Sequence, residues 1–457
     1  MCSDLVSDLR LTDFSGALVE PADFEPYRRD WSGEVGGMPF AVMRPDSVAA
    51  LSAIVALAHA HALSITVQGG LTGLAGGAVP DEGDLVISLE RLDAIEEFDE
   101  VGGTLTVQGG VPLARIAEIV EEKGWYFPLD IGARGSCRIG GNVATNAGGN
   151  RVLRYGSTRD LVLGLEAVLA DGTVLSMMNR VLKNNTGPDL KQLFIGSEGS
   201  FGIVTRVVLR LFPLPQMRRS ALCGVASFEQ VALLLKHARG DLPGLSSFEV
   251  MWKDYLDAAA TAIGASVPFG GAYPIYVLIE AEGSQAPAMQ ALFESFLEAR
   301  IEDGTAADII VAQTSEQARS LWAFRDAIGE LFRQLAPYVT FDVGIPLRAT
   351  GDYIERARAR LEAEWPDITH LFFGHLGDGN LHIVTGPHPD AAQRHKVDTI
   401  VYELVQEVGG SISAEHGIGR IKKPFLSMSR NAEEIELLRT LKASLDPRHA
   451  LNVNRIL

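Results

Sequence analysis

Cysteine is scarce in this chain, and its scarcity excludes a disulfide-stapled fold. The 457 residues include three cysteines, Cys2, Cys137 and Cys223, which are scattered and lack the spacing of a metal site. Free thiols in a reducing compartment are the expected state. The N-terminal residues also lack the charged-then-apolar pattern of a secretion signal. Both absences predict a cytoplasmic protein.

Long apolar runs and basic clusters are missing as well. No apolar stretch approaches the roughly 20 residues that span a bilayer, so no membrane span is expected. The formal net charge is -18, which argues against nucleic acid as a partner because that binding needs clustered positive charge. With 47% apolar and 21% charged residues, the composition is that of a packed globular protein. The length predicts two or three domains.

Glycine, in contrast, is abundant and concentrated in loops. The first glycine-rich loop, 68–77, follows a predicted strand, and its backbone N–H groups can converge on a phosphate. It does not contain the G-x-G-x-x-G dinucleotide motif, and the chain has no G-x-x-x-x-G-K-[ST] motif. Three further loops of this kind follow at 128–149, 182–190 and 194–205. They are either tight turns or a surface of backbone amides for a large phosphate-bearing cofactor, and their number favours the cofactor.

Two histidines lie symmetrically about an Asp-Gly pair in the segment 373–382. Asp378-Gly379 predicts a two-residue hairpin turn, which would place His375 directly opposite His382. Cross-strand partners have Cβ atoms about 5 Å apart, close enough for two imidazoles to share one metal ion. The alternative is a pair of ordinary strand histidines, and the mirrored positions favour the metal site.

A second candidate motif is Glu415-His416, framed by small residues in the segment 411–419. Glu415 is the natural third ligand, since two imidazoles and one carboxylate leave an open position, as catalytic metal sites do. Its alternative is a solvated surface carboxylate. Zinc fits these ligands, and manganese, cobalt or iron would also be accommodated.

The four loops resemble, in order and spacing, the FAD-binding domain of the vanillyl-alcohol oxidase or p-cresol methylhydroxylase (PCMH) type. Segments 135–149 and 195–199, together with the two histidine motifs, are most similar to the D-2-hydroxyglutarate and D-lactate dehydrogenase branch. The resemblance implies an α+β fold. A PCMH-type FAD-binding domain of two α+β subdomains would occupy 1–215, and a ferredoxin-like α+β cap that binds substrate and metal would occupy 216–440. The last residues, 441–457, would return to the FAD domain.

The same resemblance implies which residues contact the cofactor. Members that bind flavin covalently carry a histidine in the first loop, where this chain has Thr72, so noncovalent FAD is expected. The implied cofactor-binding residues are Gly69, Gly70, Leu71, Thr72, Gly73, Leu74, Pro128, Gly132, Ser136, Gly140, Gly141, Asn142, Thr145, Asn146, Glu198, Gly202, Ile203 and Asn452.

For the chemistry, the branch implies a divalent metal on His375, His382 and Glu415, with His416 as the base. The metal would bind the 2-hydroxyl and one carboxylate oxygen of a D-2-hydroxy acid, and the C2 hydride would pass to flavin N5. Arg325 would grip the substrate carboxylate. Its alternative is a helix-surface arginine paired with Asp326 or Glu330.

Three positions depart from the D-2-hydroxyglutarate pattern. Gly329, Thr340 and Val384 stand where that pattern has threonine, lysine and asparagine, which removes polar partners for a second carboxylate. With Asn380, the residues Thr340 and Val384 are expected to border the substrate. The departures favour D-lactate or a larger apolar D-2-hydroxy monocarboxylate, with D-2-hydroxyglutarate kept as an alternative.

Two other functions compete with this hypothesis: a metal hydrolase or binding protein that retains the flavin fold, and a flavin-dependent transferase that makes ether lipids. The sequence contains no recognisable nicotinamide site. The electron acceptor therefore stays open among an electron-transferring flavoprotein, a quinone, a cytochrome and oxygen. The sequence is compatible with a homodimer but does not specify one.

Overall fold

A computed structural model describes residues 11–284 and 286–457. Cys2 and the N-terminal pattern used above lie outside the described residues. The chain forms two compact units, and neither is continuous in sequence. The first comprises the described residues up to Gly149, then Gly156–Pro213 and Glu415–Leu457, and the second comprises Asn150–Tyr155 and Leu214–Ala414. The divisions expected from the sequence fall after residues 215 and 440.

The regular elements alternate between short strands and helices. The strands are β1 Ala41–Met43, β2 Ile65–Gln68, β3 Leu85–Ser88, β4 Ile95–Asp99, β5 Thr104–Gln108, β6 Trp125–Tyr126, β7 Val162–Val168, β8 Val174–Met177, β9 Ile203–Arg210, β10 Phe212–Pro213, β11 Met217–Val225, β12 Leu245–Trp252, β13 Ile275–Gly283, β14 Asp308–Val311, β15 Val339–Gly344, β16 Thr369–Gly374 and β17 Asn380–Gly386. The α-helices are Val48–Ala60, Leu113–Glu121, Ile139–Ala144, Val152–Tyr155, Thr158–Leu161, Phe228–Asp241, Lys253–Ile263, Ala286–Glu302, Ser315–Arg325, Ile328–Leu335, Leu347–Glu364, Ala391–Glu407 and Ala432–Leu445. Short 3-10 helices span Leu11–Asp13, Pro21–Asp23, Glu25–Tyr27, Leu190–Leu193 and Lys423–Met428.

The first unit contains a parallel sheet of order β1-β3-β2 and an antiparallel sheet of order β4-β5-β9-β7-β8. Helix Val48–Ala60 begins at Ser47, whose hydroxyl accepts the N–H of Ala50 and so satisfies an end that the helix itself leaves open. The helix buries Leu51, Ile54 and Val55 in the same core as the parallel strands. The two sheets with their helices confirm the predicted α+β class and its two subdomains.

The second unit is built on one seven-stranded antiparallel sheet of order β14-β11-β13-β12-β16-β17-β15. Strands β11 to β14, with helices between them, have the order 4-1-3-2 of a ferredoxin-like sheet, as predicted. Strands β15 to β17 repeat that order, and the antiparallel bridge between Gly344 and Ser411 stands where a fourth strand would be. The pairing of β12 with β16 joins the two halves.

A stretch from the middle of the first unit's sequence belongs to the second unit. Helix Val152–Tyr155 lies against β12. Arg151 forms an ion pair with Glu280 in which both side chains are buried, and its Nη1 donates to Ser247 Oγ at 2.8 Å. A buried carboxylate is costly without such a counter-charge. The stretch is therefore tied to the interior of the second unit through Arg151.

One amphipathic stretch of the sequence does not form a single helix. The amphipathic pattern at 314–335 predicts a single helix, whereas the structure has two, Ser315–Arg325 and Ile328–Leu335. The break has a tertiary cause: the buried hydroxyl of Tyr255 donates to the carbonyl of Arg325 at 2.8 Å. A carbonyl bound to a side chain from another helix no longer needs a continuing helical turn.

The predictions of no membrane span and of free cysteines can be compared with the residues that the structure describes. Within them, no helix is both long enough and apolar enough to cross a membrane. Cys137 and Cys223 are free thiols, and both are buried. Burial raises the pKa of Cys223 to about 12, so this thiol stays protonated and unreactive at neutral pH.

Candidate active site

The histidine hairpin forms, but its register differs from the prediction. Phe373, not His375, is the partner of His382 across β16 and β17. A two-residue turn of the predicted type needs positive φ at both central positions, and only Gly379 has it, at +86°. The loop is longer instead, and the carbonyl of His375 accepts the N–H groups of Asp378 and Asn380 at 3.1 and 3.2 Å.

The two imidazoles nevertheless lie together. A shift of two residues keeps the same face of a strand, because side chains alternate with a period of two. The ring centroids of His375 and His382 are 5.2 Å apart with an interplanar angle of 79°. The ring of Phe373 lies 5.0 Å from that of His382 and forms an apolar wall beside it.

A buried glutamate that the sequence analysis did not single out holds one of these histidines. Glu249, on the central strand β12, is 1% exposed. Its Oε1 lies 2.8 Å from His375 Nδ1, and its Oε2 accepts Arg325 Nε at 2.8 Å. Arg325 Nη2 lies 3.0 Å from His375 Nε2, which closes a triangle of three side chains. A charged residue inside the apolar strand 245–252 was the available signal for this site.

These contacts define which nitrogen of His375 carries the proton. Burial would raise the pKa of Glu249, but the electrostatic interactions with His375 and Arg325 and the hydrogen bonds from both outweigh burial and hold that pKa below its ordinary value. An ionised carboxylate only accepts, so Nδ1 donates to it. Arg325 only donates, so His375 Nε2 is the basic nitrogen.

Arg325 is not the surface residue of the alternative interpretation. It is 6% exposed, lies 4.8 Å above the ring of Phe373, and pairs with Glu249. Burial alone would lower the pKa of Arg325, yet the carboxylate of Glu249 raises it, so the guanidinium stays charged. This fixed positive charge suits the recognition of a carboxylate.

Glu415 lies where the chain passes out of the second unit. The preceding residue, Ala414, donates its N–H to the carbonyl of Asp342 at 2.9 Å, which fixes the main chain next to Glu415. One ligand atom each from His375, His382 and Glu415 lies within 4.8 Å of the others. Two imidazole nitrogens and a carboxylate oxygen at this spacing fit a divalent transition metal.

His416 follows Glu415 and is half-buried. The loop after it is held by Glu198, a buried carboxylate that accepts the N–H groups of Ile418 at 2.7 Å and Gly419 at 2.8 Å. Burial raises the pKa of Glu198, while these two N–H groups favour its charged form. Glu198 is one of the residues expected from the sequence to bind the cofactor; in the structure, its carboxylate positions the chain beside His416.

The expected substrate-pocket residues lie on β15 and β17. Asp342 is opposite His382, and Thr340 is opposite Val384. Val384 is fully buried in the same apolar cluster as Phe373. Asn380 is 4% exposed, and both polar atoms of its amide lack a hydrogen-bond partner within the described part of the chain. An unsatisfied buried amide next to these histidines suits contact with a polar ligand.

In the first unit, three of the four glycine loops converge. A Cβ on Gly70 would lie 2.1 Å from the carbonyl oxygen of Ser136, so the first and second loops touch backbone to backbone. The N–H of Gly196 donates to Val143 O at 3.0 Å, and the N–H of Glu198 to Ala144 O at 2.7 Å, which joins the last loop to the second. The remaining loop, residues 182–190, is exposed along its whole length.

Several glycines of these loops face open space. No atom lies within 4 Å of the position that a Cβ would take on Gly132 or Gly141, and neither has a positive φ. Protein packing therefore does not require glycine at these two positions, whereas a ligand that approaches the backbone would. The buried Oδ1 of Asn142, beside Gly141, also lacks a partner among the described residues. The loops fit a cofactor bound through the main chain.

Other expected cofactor residues have structural roles. Asn146 Oδ1 accepts the N–H of Arg159 at 2.9 Å, and Asn452 Oδ1 accepts that of Val67 at 2.8 Å. Ile203 packs in the core of the first unit. Gly202 leaves space for a neighbouring aromatic ring, Phe194, whose Cε1 would lie 2.8 Å from a Cβ. These side chains hold the loops in shape.

Comparison with known proteins assigns the family. Residues 39–177 match the family described as FAD binding domain, and residues 214–456 match FAD linked oxidases, C-terminal domain. The chain belongs to the FAD-linked oxidases. It is therefore an FAD-dependent oxidoreductase, and the sequence-based assignment to this family is confirmed.

Relatives of this FAD-linked oxidase have similar lengths. A D-2-hydroxyglutarate dehydrogenase of Xanthomonas citri pv. viticola is 40% identical over 96% of this chain and 93% of its own. The mitochondrial D-2-hydroxyglutarate dehydrogenase of Bos taurus is 39% identical, over 96% of this chain and 81% of its own. Among solved structures, p-cresol methylhydroxylase with substrate bound has a TM-score of 0.79 at 16% identity, covering 99% of this chain and 96% of that one. This likeness confirms the PCMH-type fold.

Proposed function

We propose that this FAD-linked oxidase is a metal-dependent dehydrogenase that converts a D-2-hydroxy acid to the 2-oxo acid. The observation that carries the proposal is the convergence of His375, His382 and Glu415 to within 4.8 Å, near a buried arginine. A 2-hydroxy acid offers the matching groups, a hydroxyl and a carboxylate on adjacent carbons. The relatives named as D-2-hydroxyglutarate dehydrogenases support the same class of substrate.

Bound FAD supplies the hydride acceptor, and a divalent ion held by His375, His382 and Glu415 supplies a Lewis acid that favours loss of the hydroxyl proton. His416 takes that proton at a ring nitrogen. Arg325 holds the substrate carboxylate and so orients C2. In the described structure, Nε and Nη2 of Arg325 contact Glu249 and His375, which leaves Nη1 as the donor that we assign to the substrate.

The choice among D-2-hydroxy acids depends on the remaining group on C2, which is the part of the substrate that differs from one acid to the next. Val384 is buried in an apolar cluster, two residues along the strand from His382. We therefore favour D-lactate or a larger apolar monocarboxylate, because a second carboxylate beside Val384 would lose its hydration without gaining a partner. The names of the relatives support D-2-hydroxyglutarate as the second candidate.

The test is anaerobic mixing of the FAD-loaded, zinc-loaded protein with D- and L-2-hydroxy acids in a stopped-flow spectrophotometer, with the flavin absorbance as the signal. Bleaching by D-acids alone is expected. The rates for D-lactate, D-2-hydroxyisocaproate and D-2-hydroxyglutarate then show whether the site prefers a small, an apolar or a charged group on C2 of the substrate. A yellow protein that no 2-hydroxy acid bleaches would contradict the proposal, and a rate for D-2-hydroxyglutarate far above the other two would overturn the preference for monocarboxylates.

Oxidised substrate leaves reduced flavin, which needs an acceptor. An electron-transferring flavoprotein, a quinone, a cytochrome and oxygen all remain candidates, and they are distinguished by which one restores the flavin absorbance after anaerobic reduction. Fast reoxidation on admission of air would identify oxygen.

A further inference from the structure

The carboxylate of Glu249 has two oxygens with two different partners. Oε1 receives the Nδ1 proton of His375, and Oε2 receives the Nε proton of Arg325. His375 is expected to bind a metal, and Arg325 is expected to bind the substrate. Glu249 itself is 1% exposed, so neither solvent nor substrate competes for these oxygens.

His375 needs such a partner because the backbone alone does not fix its ring. It is the first residue after β16, at the start of the hairpin loop, so no strand pairing holds its position. Its main chain is held by Asp378 and Asn380, but its ring could rotate or exchange tautomers. The bond to Glu249 keeps the proton on Nδ1 and leaves the Nε2 lone pair for a ligand, which is how carboxylates commonly orient metal-binding histidines.

A hydrogen-bond donor competes with the metal ion for the lone pair of His375 Nε2. In the described structure this nitrogen faces Arg325 Nη2 at 3.0 Å. One lone pair does not serve a guanidinium N–H and a metal ion together, so ion binding at Nε2 requires Nη2 to leave. Arg325 stays tethered by its Nε to Glu249 while Nη2 is released toward another acceptor.

We propose that Glu249 is a positioning residue that orients His375 for the ion and tethers Arg325, so that binding of the ion releases Arg325 Nη2 to join Nη1 as a second donor to the substrate carboxylate. This inference rests on the proposed function. Ion binding and carboxylate binding are then linked through one buried side chain, and each strengthens the other.

Glu249→Gln is the decisive variant, because an amide of the same shape has one acceptor and one donor where the site requires two acceptors. If the NH2 group of the amide points to Arg325, two donors face each other at Nε. If it points to His375, Nδ1 must accept a hydrogen bond, and the proton of the imidazole moves to Nε2. We expect zinc affinity of the FAD-loaded protein, measured by equilibrium dialysis and metal analysis, to fall about 10- to 100-fold. We also expect KM for the D-2-hydroxy acid to rise at saturating zinc, because Arg325 loses its tether.

Glu280→Gln is the matched control. Glu280 is 1% exposed on the neighbouring strand β13, and it pairs with Arg151 and accepts the Trp322 indole N–H. Its replacement disturbs a buried ion pair in the same sheet without touching His375. Lower thermal stability with unchanged zinc affinity is therefore expected. Equal losses of zinc affinity in both glutamine variants would reduce Glu249 to a general structural role and overturn the inference.

Glu249→Asp keeps both acceptor oxygens but withdraws them by one methylene. Zinc affinity between that of the natural protein and that of Glu249→Gln is expected, with full FAD content. If the glutamine variant does not fold, the aspartate variant decides: weakened zinc binding supports the inference, and unchanged binding overturns it.

The failure of this inference is distinguishable from failure of the proposed function. A natural protein that binds zinc and is bleached by D-acids, together with a Glu249→Gln variant that binds zinc equally well, would remove only the role of Glu249. A natural protein that binds no zinc, or is not bleached, would remove the proposed function.

Discussion

The candidate sites of the two units are built from different kinds of chemical group. In the first unit, the surface expected to bind FAD consists mainly of backbone, with glycines such as Gly132 and Gly141 facing open space. In the second unit, the candidate site consists of side chains, with His375, Glu249 and Arg325 bound to one another. A backbone site depends on the shape of loops, whereas a side-chain site depends on the identity of each group.

Side chains also have opposite tasks in the two units. In the first unit, Asn146 and Asn452 bind backbone N–H groups and hold loops in place. In the second, Glu249 and Arg325 are buried charges whose partners are other functional groups. Substitutions in the glycine loops of the first unit should therefore act through stability and cofactor retention, whereas substitutions of the candidate active-site side chains should act through chemistry.

The largest expected effect is that of His416→Ala, which tests whether one side chain can carry the chemistry while the backbone site stays intact. Loss of the base should lower the rate of flavin reduction about 10²- to 10⁴-fold. FAD content, read from the visible absorbance of the purified protein, should remain that of the natural protein. His61→Ala, at an exposed histidine of the first unit, is the control. A His416→Ala protein with undiminished flavin reduction would exclude this residue as the base.

An intermediate effect distinguishes two glycines of the backbone site. In Gly70→Ala, the new Cβ would meet the Ser136 carbonyl oxygen at 2.1 Å, so overpacking should destabilise the apoprotein by about 1–3 kcal/mol. In Gly141→Ala, the Cβ would meet no protein atom within 4 Å, so apoprotein stability should hold. Its FAD dissociation constant should nevertheless rise at least about tenfold, equivalent to about 1.4 kcal/mol, if the cofactor approaches this backbone. Thermal melting and FAD titration measure the two effects, and an unchanged FAD affinity in Gly141→Ala would contradict a backbone site there.

The smallest expected effect concerns pH. Burial lowers the pKa of His370 and His388, which both contact Thr385 Oγ1, at 2.6 and 2.9 Å. Below the ordinary histidine pKa of about 6.5, the unfolded chain binds protons that the folded chain resists. Stability should therefore fall as the pH falls below that value, by at most about 1.4 kcal/mol per pH unit for each histidine.

His388→Gln removes one of these two titrating groups, so the melting temperature should depend less on pH between pH 7 and pH 5. His61→Gln, at an exposed position of the first unit, again serves as the control for the loss of a histidine. Parallel curves for the natural protein and His388→Gln would show that this histidine titrates alike in the folded and unfolded chain.

Much of the side-chain site was predictable from local pattern. The sequence placed His375 and His382 on one face of a hairpin, and they are together, although Phe373 and not His375 is the partner of His382. The alternation of side chains determines the face, while the turn determines the register. The turn was misjudged because Asp378 does not adopt positive φ.

Partners that are distant in sequence were not predictable. Glu249 is 126 residues from His375, and Glu198 is 220 residues from Ile418, so no local motif connects either pair. Helix 314–335 breaks for a similar reason, because the hydroxyl of Tyr255 binds a carbonyl 70 residues away. Local propensity gives way where a distant polar group competes for the backbone.

The excursion of residues 150–155 into the second unit has a consequence for the gene. A coding segment for 214–414 would produce the seven strands and their helices but not Arg151, and buried Glu280 would keep only its longer ion pair, with Arg218 at 3.5 Å. Such a fragment should be insoluble or unstable as expressed. Recombination that exchanges the second unit between related genes would therefore have to carry two separate coding segments, one for 150–155 and one for 214–414.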